Sequence, residues 1–414
     1  MKTPSESKPS RVREDLRQFV SFAAGYGVVL VLGYLLLRKI NLTLSQEQMG
    51  VYSYTFALVN ILMPVFYLAA PQAYIRFHDE HRVSAGLRKM LRPLFWLSSV
   101  GVAVIVWLKT GSFFALLLAS YPFFNERLFV FRSQMRTSAV NAMKICEIAV
   151  PLSVLCAISL FPGVFGGVTI DAGAVLGLYG IGFATAFLFP LRLVPASHPD
   201  RGTVAKFLLP IVFTSLVAAL VENLSVVMTK AVLGYEAAAQ MGVAARNLIF
   251  IRALFSVFMM FYPVVYFREM ANRRFGAVRL YRVVILAVGA AFVGGMVTFT
   301  PLVYSLTGAT AYVGTGRVFQ LLALGMLCDF VFEIFALYFQ HEIKTWKATL
   351  VKVVFLALLA AGFAVVVANP PFLSSRMSPL VALAATFFAA SAISGGVGTA
   401  WAAVAEFRSR RAGA

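Results

Sequence analysis

The chain of 414 residues is 60% hydrophobic and only 13% charged, and its mean hydropathy is +0.83. A water-soluble core of this size cannot hide so much apolar surface, so the composition excludes soluble globular, disordered and disulfide-stapled proteins. The formal net charge of +19 raises the question of a nucleic-acid partner, which depends on where the basic residues lie along the chain.

Twelve apolar segments are candidates for membrane-spanning helices, since a helix needs roughly 20 residues to cross about 30 Å of hydrocarbon. In chain order the predicted spans cover residues 19–37, 51–70, 93–108, 111–131, 145–161, 174–191, 207–228, 243–267, 281–300, 318–339, 350–367 and 380–404. The sequence therefore predicts an all-α polytopic membrane protein with 12 transmembrane helices.

Lysine and arginine are distributed unevenly between the two sides of these spans. Of the 36, 28 fall at the amino terminus, after the even-numbered spans and at the carboxyl end, whereas six fall on the opposite side. The positive-inside rule then places both termini in the cytoplasm. Orientation and attraction to anionic lipid headgroups account for the net charge, so we expect membrane lipids and no nucleic acid as partners.

An internal repeat relates the two halves of the chain. With an offset of 192 residues, ten identities fall in the 29-residue window that begins at Gln48 and Gln240. Each repeat holds six spans, an even number, so both copies enter the membrane in the same orientation. We expect two six-helix bundles related by a parallel pseudo-twofold axis: an N-terminal bundle of residues 1–193, a polar cytoplasmic linker of residues 194–203, and a C-terminal bundle of residues 204–414.

Arginines within or next to the spans are the first candidates for a binding site. Arg252 lies near the predicted bilayer midplane, and the residue related to it by the repeat is Asn60. Arg246 lies nearer the outer face, while Arg76 and Arg268 follow the repeated prolines at the cytoplasmic ends of the second and eighth spans. Each of them is compatible with an anionic ligand, but also with an internal salt bridge or a positive-inside anchor.

Acidic residues within the later spans are candidates for ion coupling. Asp329 and Glu333 are spaced i, i+4 and so lie on one face of the tenth span, where two close carboxylates favour binding of a proton or Na⁺. The alternative is that they neutralise the arginines of the eighth span. Glu222, near the outer end of the seventh span, is a weaker candidate.

Motifs of enzymes are absent from the sequence. It has no phosphate-binding loop ending in Lys-Ser or Lys-Thr, no His-Glu-x-x-His pair and no paired CxxC. The segment His78-Asp-Glu-His81 lies in a basic cytoplasmic loop, and we interpret it as a run of charged residues exposed to solvent. We therefore expect no enzyme, no catalytic residue, no metal site and no cofactor other than a coupling H⁺ or Na⁺.

Several segments carry a family resemblance. Residues 44–52 (LSQEQMGVY) and 70–76 (APQAYIR) resemble the start of Wzx-type polysaccharide flippases, which belong to the multidrug/oligosaccharidyl-lipid/polysaccharide (MOP) exporter superfamily. Residues 222–225 (ENLS), with Lys230 and residues 233–234, are similar to the passage from the seventh to the eighth helix in that family.

The resemblance implies a bacterial inner-membrane flippase that works by alternating access. It would carry a polyprenyl-diphosphate-linked oligosaccharide, as in O-antigen or exopolysaccharide synthesis, through a cavity between the bundles lined mainly by the first, second, seventh and eighth helices. The resemblance also allows other proteins of polysaccharide assembly as partners. Two alternatives remain at this stage: a cation-coupled multidrug exporter of the same superfamily, and a membrane polysaccharide polymerase or ligase.

Overall fold

The computed structural model describes residues 8–77, 83–134, 136–161, 164, 169–195, 200–271, 274–342, 346–368 and 378–412. In chain order its α-helices are α1 (Lys8–Thr43), α2 (Gln46–Phe66), α3 (Ala70–Arg76), α4 (Ala85–Thr110), α5 (Tyr121–Ser133), α6 (Thr137–Leu160), α7 (Ala172–Ala184), α8 (Arg201–Asn247), α9 (Ile249–Ala271), α10 (Phe275–Thr298), α11 (Thr300–Leu306), α12 (Gly316–His341), α13 (Trp346–Ala368) and α14 (Pro379–Ala412). Short 3-10 helices cover Phe114–Ser120, Thr185–Leu188 and Thr310–Thr315, and two-residue strands β1 and β2 cover Val83–Ser84 and Leu193–Val194.

Each predicted span is helical for most of its length. Among the described helices, nine are long and apolar enough to cross a membrane by length and composition. The other three predicted spans fall on α1, on α7 with its 3-10 extension, and on α9. The apolar stretches of the last two, Ala172–Leu188 and Ile249–Met259, are shorter. The prediction of an all-α polytopic membrane protein is confirmed.

A single residue connects the seventh and eighth spans. The prediction left residues 229–242 for a loop, but α8 runs through this segment with one non-helical residue, Gly234, at φ +86° and ψ −173°. Glycine is the residue that adopts such a backbone without steric cost. The eighth span therefore begins at residue 235 and comprises the end of α8 (235–247) and α9, with Leu248 as an irregular residue between them.

The second span is interrupted between α2 and α3. Leu68 and Ala69 have φ of +48° and +51°, a conformation that costs a residue with a side chain about 1–2 kcal/mol. The amide of Ala69 donates to the carbonyl of Pro64 at 3.2 Å, which stabilises this turn. The helix of the second span thus ends at Phe66 rather than at residue 70, and a new helix begins at Ala70.

The helices pack into two halves, the N-terminal half of residues 8–195 and the C-terminal half of residues 200–412. In the first, α1 packs on α6, α2 on α4, and α6 on α7; in the second, α9 packs on α10 and both α12 and α13 pack on α14. The most extensive contact of all joins the halves, between α2 and α8. A smaller connection between the halves is the contact of α3 with α8, whereas the parallel pairing of β1 with β2 lies within the N-terminal half.

Candidate functional site between the two halves

Two repeated glycines bring α2 and α8 together next to Gly234. A Cβ atom on Gly50 would lie 2.1 Å from the carbonyl oxygen of Tyr235, and one on Gly242 would lie 2.5 Å from the hydroxyl of Ser53. Small residues let two membrane helices approach until their backbones touch. The halves are therefore closed against each other at this side of the molecule, which we call the Gly234 end.

A second contact joins the halves at the same end, between α1 and the end of α11. Tyr34 donates its hydroxyl hydrogen to the carbonyl oxygen of Leu306 at 2.5 Å. The amide of Asn41 donates to the carbonyl oxygen of Thr307 at 2.9 Å. By contrast, α2 and α9 hardly touch within the described residues, so the halves separate between these two helices, and they meet again where α3 packs on the start of α8.

A cavity of about 310 Å³ lies where the halves separate, and we call it the central cavity. Helices α1, α2, α6 and α7 of the N-terminal half and α8 and α9 of the C-terminal half line it. Its polar and aromatic lining residues are Tyr52, Ser53, Phe56, Asn60, Glu147, Tyr179, Glu222, Asn223, Arg246 and Arg252. The structure therefore brings together three of the predicted binding residues, Asn60, Arg246 and Arg252, with the predicted coupling residue Glu222.

Arg252 lines the central cavity from α9 and is partly buried. Its backbone amide donates to the carbonyl of Leu248 at 2.9 Å, which fixes the first turn of α9. Its guanidinium makes no hydrogen bond or ion pair with any residue that the structure describes. A charged group at this depth is expensive unless it faces a polar cavity or a ligand. Arg252 therefore presents its donors to the cavity.

Asn60 faces Arg252 across the same cavity, from α2. Its side-chain oxygen accepts a hydrogen bond of 3.4 Å from the hydroxyl of Tyr121. Pro64 has no backbone N–H, so the carbonyl of Asn60 also lacks its usual helical donor. The N-terminal half thus offers the cavity an oriented amide group, which the repeat alignment picked out, and a backbone acceptor, which it did not.

Arg246 connects the two halves directly. Its guanidinium donates to the hydroxyl of Ser53 at 3.0 Å and to the sulfur of Met49 at 3.1 Å, and it lies 4.0 Å from the ring centroid of Tyr52. All three partners belong to α2, and a cation over an aromatic ring contributes about 0.5–2 kcal/mol. Arg246 lines the central cavity but is already engaged, in contrast to Arg252.

A second cavity, of about 280 Å³, lies inside the C-terminal half, and we call it the acidic cavity. Its ionisable lining residues are Glu222, Arg252, Asp329 and Glu333, and three phenylalanines, Phe255, Phe330 and Phe387, line it as well. The three predicted coupling residues are thus brought together. Arg252 and Glu222 line both cavities, so the two spaces adjoin at these side chains.

Lys352 is the partner of the acidic pair, and sequence reasoning missed it. Its ammonium group forms ion pairs with Asp329 and, at 3.2 Å, with Glu333. Lys352 lies within α13 and falls inside the predicted span of residues 350–367, but it was not among the predicted coupling residues. The available signal was a lysine inside an apolar segment. The described ion pairs of Asp329 and Glu333 are with this lysine and not with the arginines of the eighth span.

The remaining two candidates for the binding site are Arg76 and Arg268. Arg76 is the last residue of α3 and its side chain is exposed. Arg268 is part of α9, and its side chain lies outside what the structure describes. Arg76 lines neither the central nor the acidic cavity.

Two other partly buried arginines have acidic partners, in contrast to Arg252. Arg88 pairs with Glu126 at 2.8 Å, and Arg282 pairs with Glu406 at 2.9 Å. Both glutamates are almost fully buried, and each pair joins two helices within its own half. Removing one member of such a pair leaves an uncompensated charge, so both pairs hold the helices together.

Comparison with known proteins identifies the fold. The chain is similar to an inward-facing multidrug resistance MATE family transporter of the MOP superfamily, with a TM-score of 0.63 and 12% identity over 95% of this chain and 96% of that one. A MATE transporter in complex with MaD3S gives 0.58 and 13%, over 94% and 95%. The chain therefore has the fold of MATE transporters of the MOP superfamily.

An outward-facing structure of a MATE family transporter gives a TM-score of 0.51 at 12% identity, covering 94% of this chain and 85% of that one. No protein-family model and no curated protein matches the sequence.

Proposed function

We propose that this protein is a membrane transporter that moves a polyprenyl-diphosphate-linked oligosaccharide across the bacterial inner membrane by alternating access. The MATE-type fold supports a transporter of this class. The sequence resemblance to Wzx-type flippases supports the lipid-linked oligosaccharide as cargo. One observation carries the choice of cargo: the guanidinium of Arg252 lines the central cavity and has no hydrogen bond or ion pair among the described residues.

A diphosphate needs a compensating positive charge at membrane depth. The guanidinium of Arg252 offers parallel N–H donors whose spacing matches two phosphate oxygens. Charge-assisted hydrogen bonds of this kind contribute about 1.5–3 kcal/mol. The amide of Asn60, on the opposite wall, provides a donor that completes the contact from the N-terminal half.

The charge balance of the central cavity fits an anion better than that of the acidic cavity. Arg246 and Arg252 offset Glu147 and Glu222, and Lys144 pairs with Glu147 at 2.8 Å. In the acidic cavity, three carboxylates face one lining arginine. The phosphorylated headgroup is therefore placed between the halves, while the polyprenyl tail stays in the lipid.

The structure corresponds in this proposal to an inward-facing state. The Gly234 end is closed by the contacts of α2 with α8 and of α1 with α11. The distribution of lysine and arginine supports a periplasmic location for that end. Opening it, while closing the other side, would expose the central cavity to the outer leaflet.

The test is a transport assay with the full chain in proteoliposomes. Labelled lipid-linked oligosaccharide is added on one side, and its accessibility to a glycosidase on the other side is followed. We expect Arg252→Gln to lower the rate by about ten- to a hundredfold, since it removes a charge-assisted contact, and Arg252→Lys to retain part of the rate. The matched control is Arg317→Gln, an exposed arginine that lines neither cavity, and it should leave the rate unchanged.

The acidic cavity favours a second candidate, export of lipophilic cations. Three carboxylates beside three phenylalanines suit a cationic aromatic drug. In that case Asp329→Asn and Glu222→Gln would lower drug efflux from the same proteoliposomes, and Arg252→Gln would not. Efflux of such a drug without any transport of the lipid-linked oligosaccharide would overturn the first proposal in favour of the second.

A further inference from the structure

Asp329 and Glu333, the acidic pair of α12, are already paired with a positive charge of the protein itself, the ammonium group of Lys352. The Nζ atom of Lys352 reaches both carboxylates from α13, in contact with Oδ1 of Asp329 and 3.2 Å from Oε1 of Glu333. Asp329 and Glu333 are one helical turn apart, so their oxygens converge on one point. The ammonium group occupies that point.

We propose that Lys352 is a built-in counter-cation, which makes this acidic pair a site that takes up a proton and rejects Na⁺. A metal ion needs the carboxylate oxygens as ligands, and the ammonium uses one from each residue. To bind there, Na⁺ would have to displace the ammonium and leave it charged without a partner, which is strongly unfavourable. A proton adds to a carboxylate oxygen and requires no such displacement.

Exposure indicates from which side the site is reached. The side chain of Lys352 is 17% exposed, whereas those of Asp329 and Glu333 are 35% and 43% exposed. The two carboxylates line the acidic cavity, and Lys352 does not. Water and protons that enter this cavity therefore meet carboxylate oxygens first, with the ammonium behind them.

The ammonium also has room to move. A further cavity, of about 310 Å³, is lined by Lys352, Glu333, Thr349 and Met259 but not by Asp329. Glu333 lies between this space and the acidic cavity, since it lines both. Once a carboxylate is protonated and its attraction weakens, the lysine can turn away from Asp329 without leaving its helix.

The surrounding charges indicate that the site binds one proton. Glu222 on α8 and Arg252 on α9 share the cavity with the pair, and Cys328 precedes Asp329 on α12. With these groups, the pair and Lys352 in their usual states, the sum is one negative charge, which a single proton cancels. On α14 and α10, Glu406 and Arg282 neutralise each other.

The experiment measures Na⁺ binding directly on the purified full chain. Binding of radioactive Na⁺ and the midpoint of thermal unfolding are recorded in NaCl and in choline chloride of equal ionic strength. We expect no saturable Na⁺ binding and no Na⁺-dependent shift for the wild type. Lys352→Met should bind Na⁺ at least about tenfold more tightly than the wild type, and Lys352→Arg, which keeps the positive charge, should behave as the wild type.

Two results would overturn the proposal. One is saturable binding of Na⁺ to the wild type that Asp329→Asn abolishes. The other is a Lys352→Met variant that folds and remains indifferent to Na⁺. Should Lys352→Met fail to fold, Lys352→Gln replaces it, and the measurement on the wild type stands by itself.

The proton is tested separately, by the uptake of protons when lipid-linked oligosaccharide or a lipophilic cation drives the wild type through its cycle. Glu333→Gln should abolish this uptake, and uptake that persists in Glu333→Gln and Asp329→Asn would contradict the proposal. Na⁺ binding is read without any cargo, so a failed proposal for the cargo leaves this result interpretable.

Discussion

The second and eighth spans lie in segments that share ten identical residues at an offset of 192 positions but are interrupted at different places. In the second span the break lies at residues 67–69, whose repeat counterparts, 259–261, are helical in α9. In the eighth span the irregular residue is Leu248, whose counterpart, Phe56, is helical in α2. The shared sequence pattern therefore does not determine where each span is interrupted.

Prolines explain part of the difference. Pro71 and Pro263 occupy equivalent positions, yet the first starts a new helix and the second lies inside one. Pro64 has no counterpart, since the eighth span has Ser256 there. The missing N–H of Pro64 removes the helical bond to Asn60 three residues before the break. The second span thus gives the cavity a backbone acceptor, whereas the eighth gives it the charged side chain of Arg252.

The largest effect is expected where the two spans touch. Gly50→Val would place side-chain atoms against the backbone of Tyr235, which cannot yield, whereas Gly242→Val meets the side chain of Ser53. Overpacking typically costs about 1–3 kcal/mol, and we expect Gly50→Val to lie at the upper end. The measurement is the unfolding midpoint, together with the accessibility of a cysteine placed at the Gly234 end.

The matched control is Gly294→Val in α10, where an added Cβ meets nothing within 4 Å. Equal effects of Gly50→Val and Gly294→Val would show that the close contact between the second and eighth spans does not matter for stability.

An intermediate effect on transport is expected from replacing the prolines, and comparing Pro64 with Pro263 is the most direct test of the difference between the two spans. Pro64→Ala restores the donor for the carbonyl of Asn60 and should straighten the second span, which slows transport several-fold, since the cavity wall moves. Pro263→Ala lies in a helix that is continuous already, so we expect a smaller change. Transport in proteoliposomes and spin-label distances between α3 and α9 measure both, and a larger effect of Pro263→Ala would contradict this account.

The smallest effect is expected outside both spans, at the start of α8. The carboxylate of Asp200 accepts hydrogen bonds from the amide of Thr203 at 3.0 Å and from its hydroxyl. These bonds hold the pKa of Asp200 below its ordinary value. The stabilisation is therefore present above the unfolded-state pKa of this carboxyl and is lost as the pH falls through the lower folded-state pKa.

We accordingly expect Asp200→Ala to lower the unfolding midpoint slightly at neutral pH and by less in acid. A midpoint that falls by the same amount at every pH would show that the loss of the carboxylate is not the cause. Asp200→Asn keeps an acceptor for the cap and serves as the reference.

Sequence reasoning reached the membrane architecture because hydropathy and charge act over whole segments. It found Arg252, since an arginine in an apolar span stands out in any count. It did not find the one-residue connection at Gly234 or the break at Leu68, because these depend on backbone angles that hydropathy does not report. Lys352 was missed for a different reason: its ion pairs with Asp329 and Glu333 join two different helices, and the order of residues along the chain does not show which helices pack together.

Gly234 has a mechanical consequence. With one non-helical residue between them, the seventh and eighth helices cannot move apart at the point where they meet. An opening at the Gly234 end therefore has to form between this joined pair of helices and α2, and not between the two helices themselves.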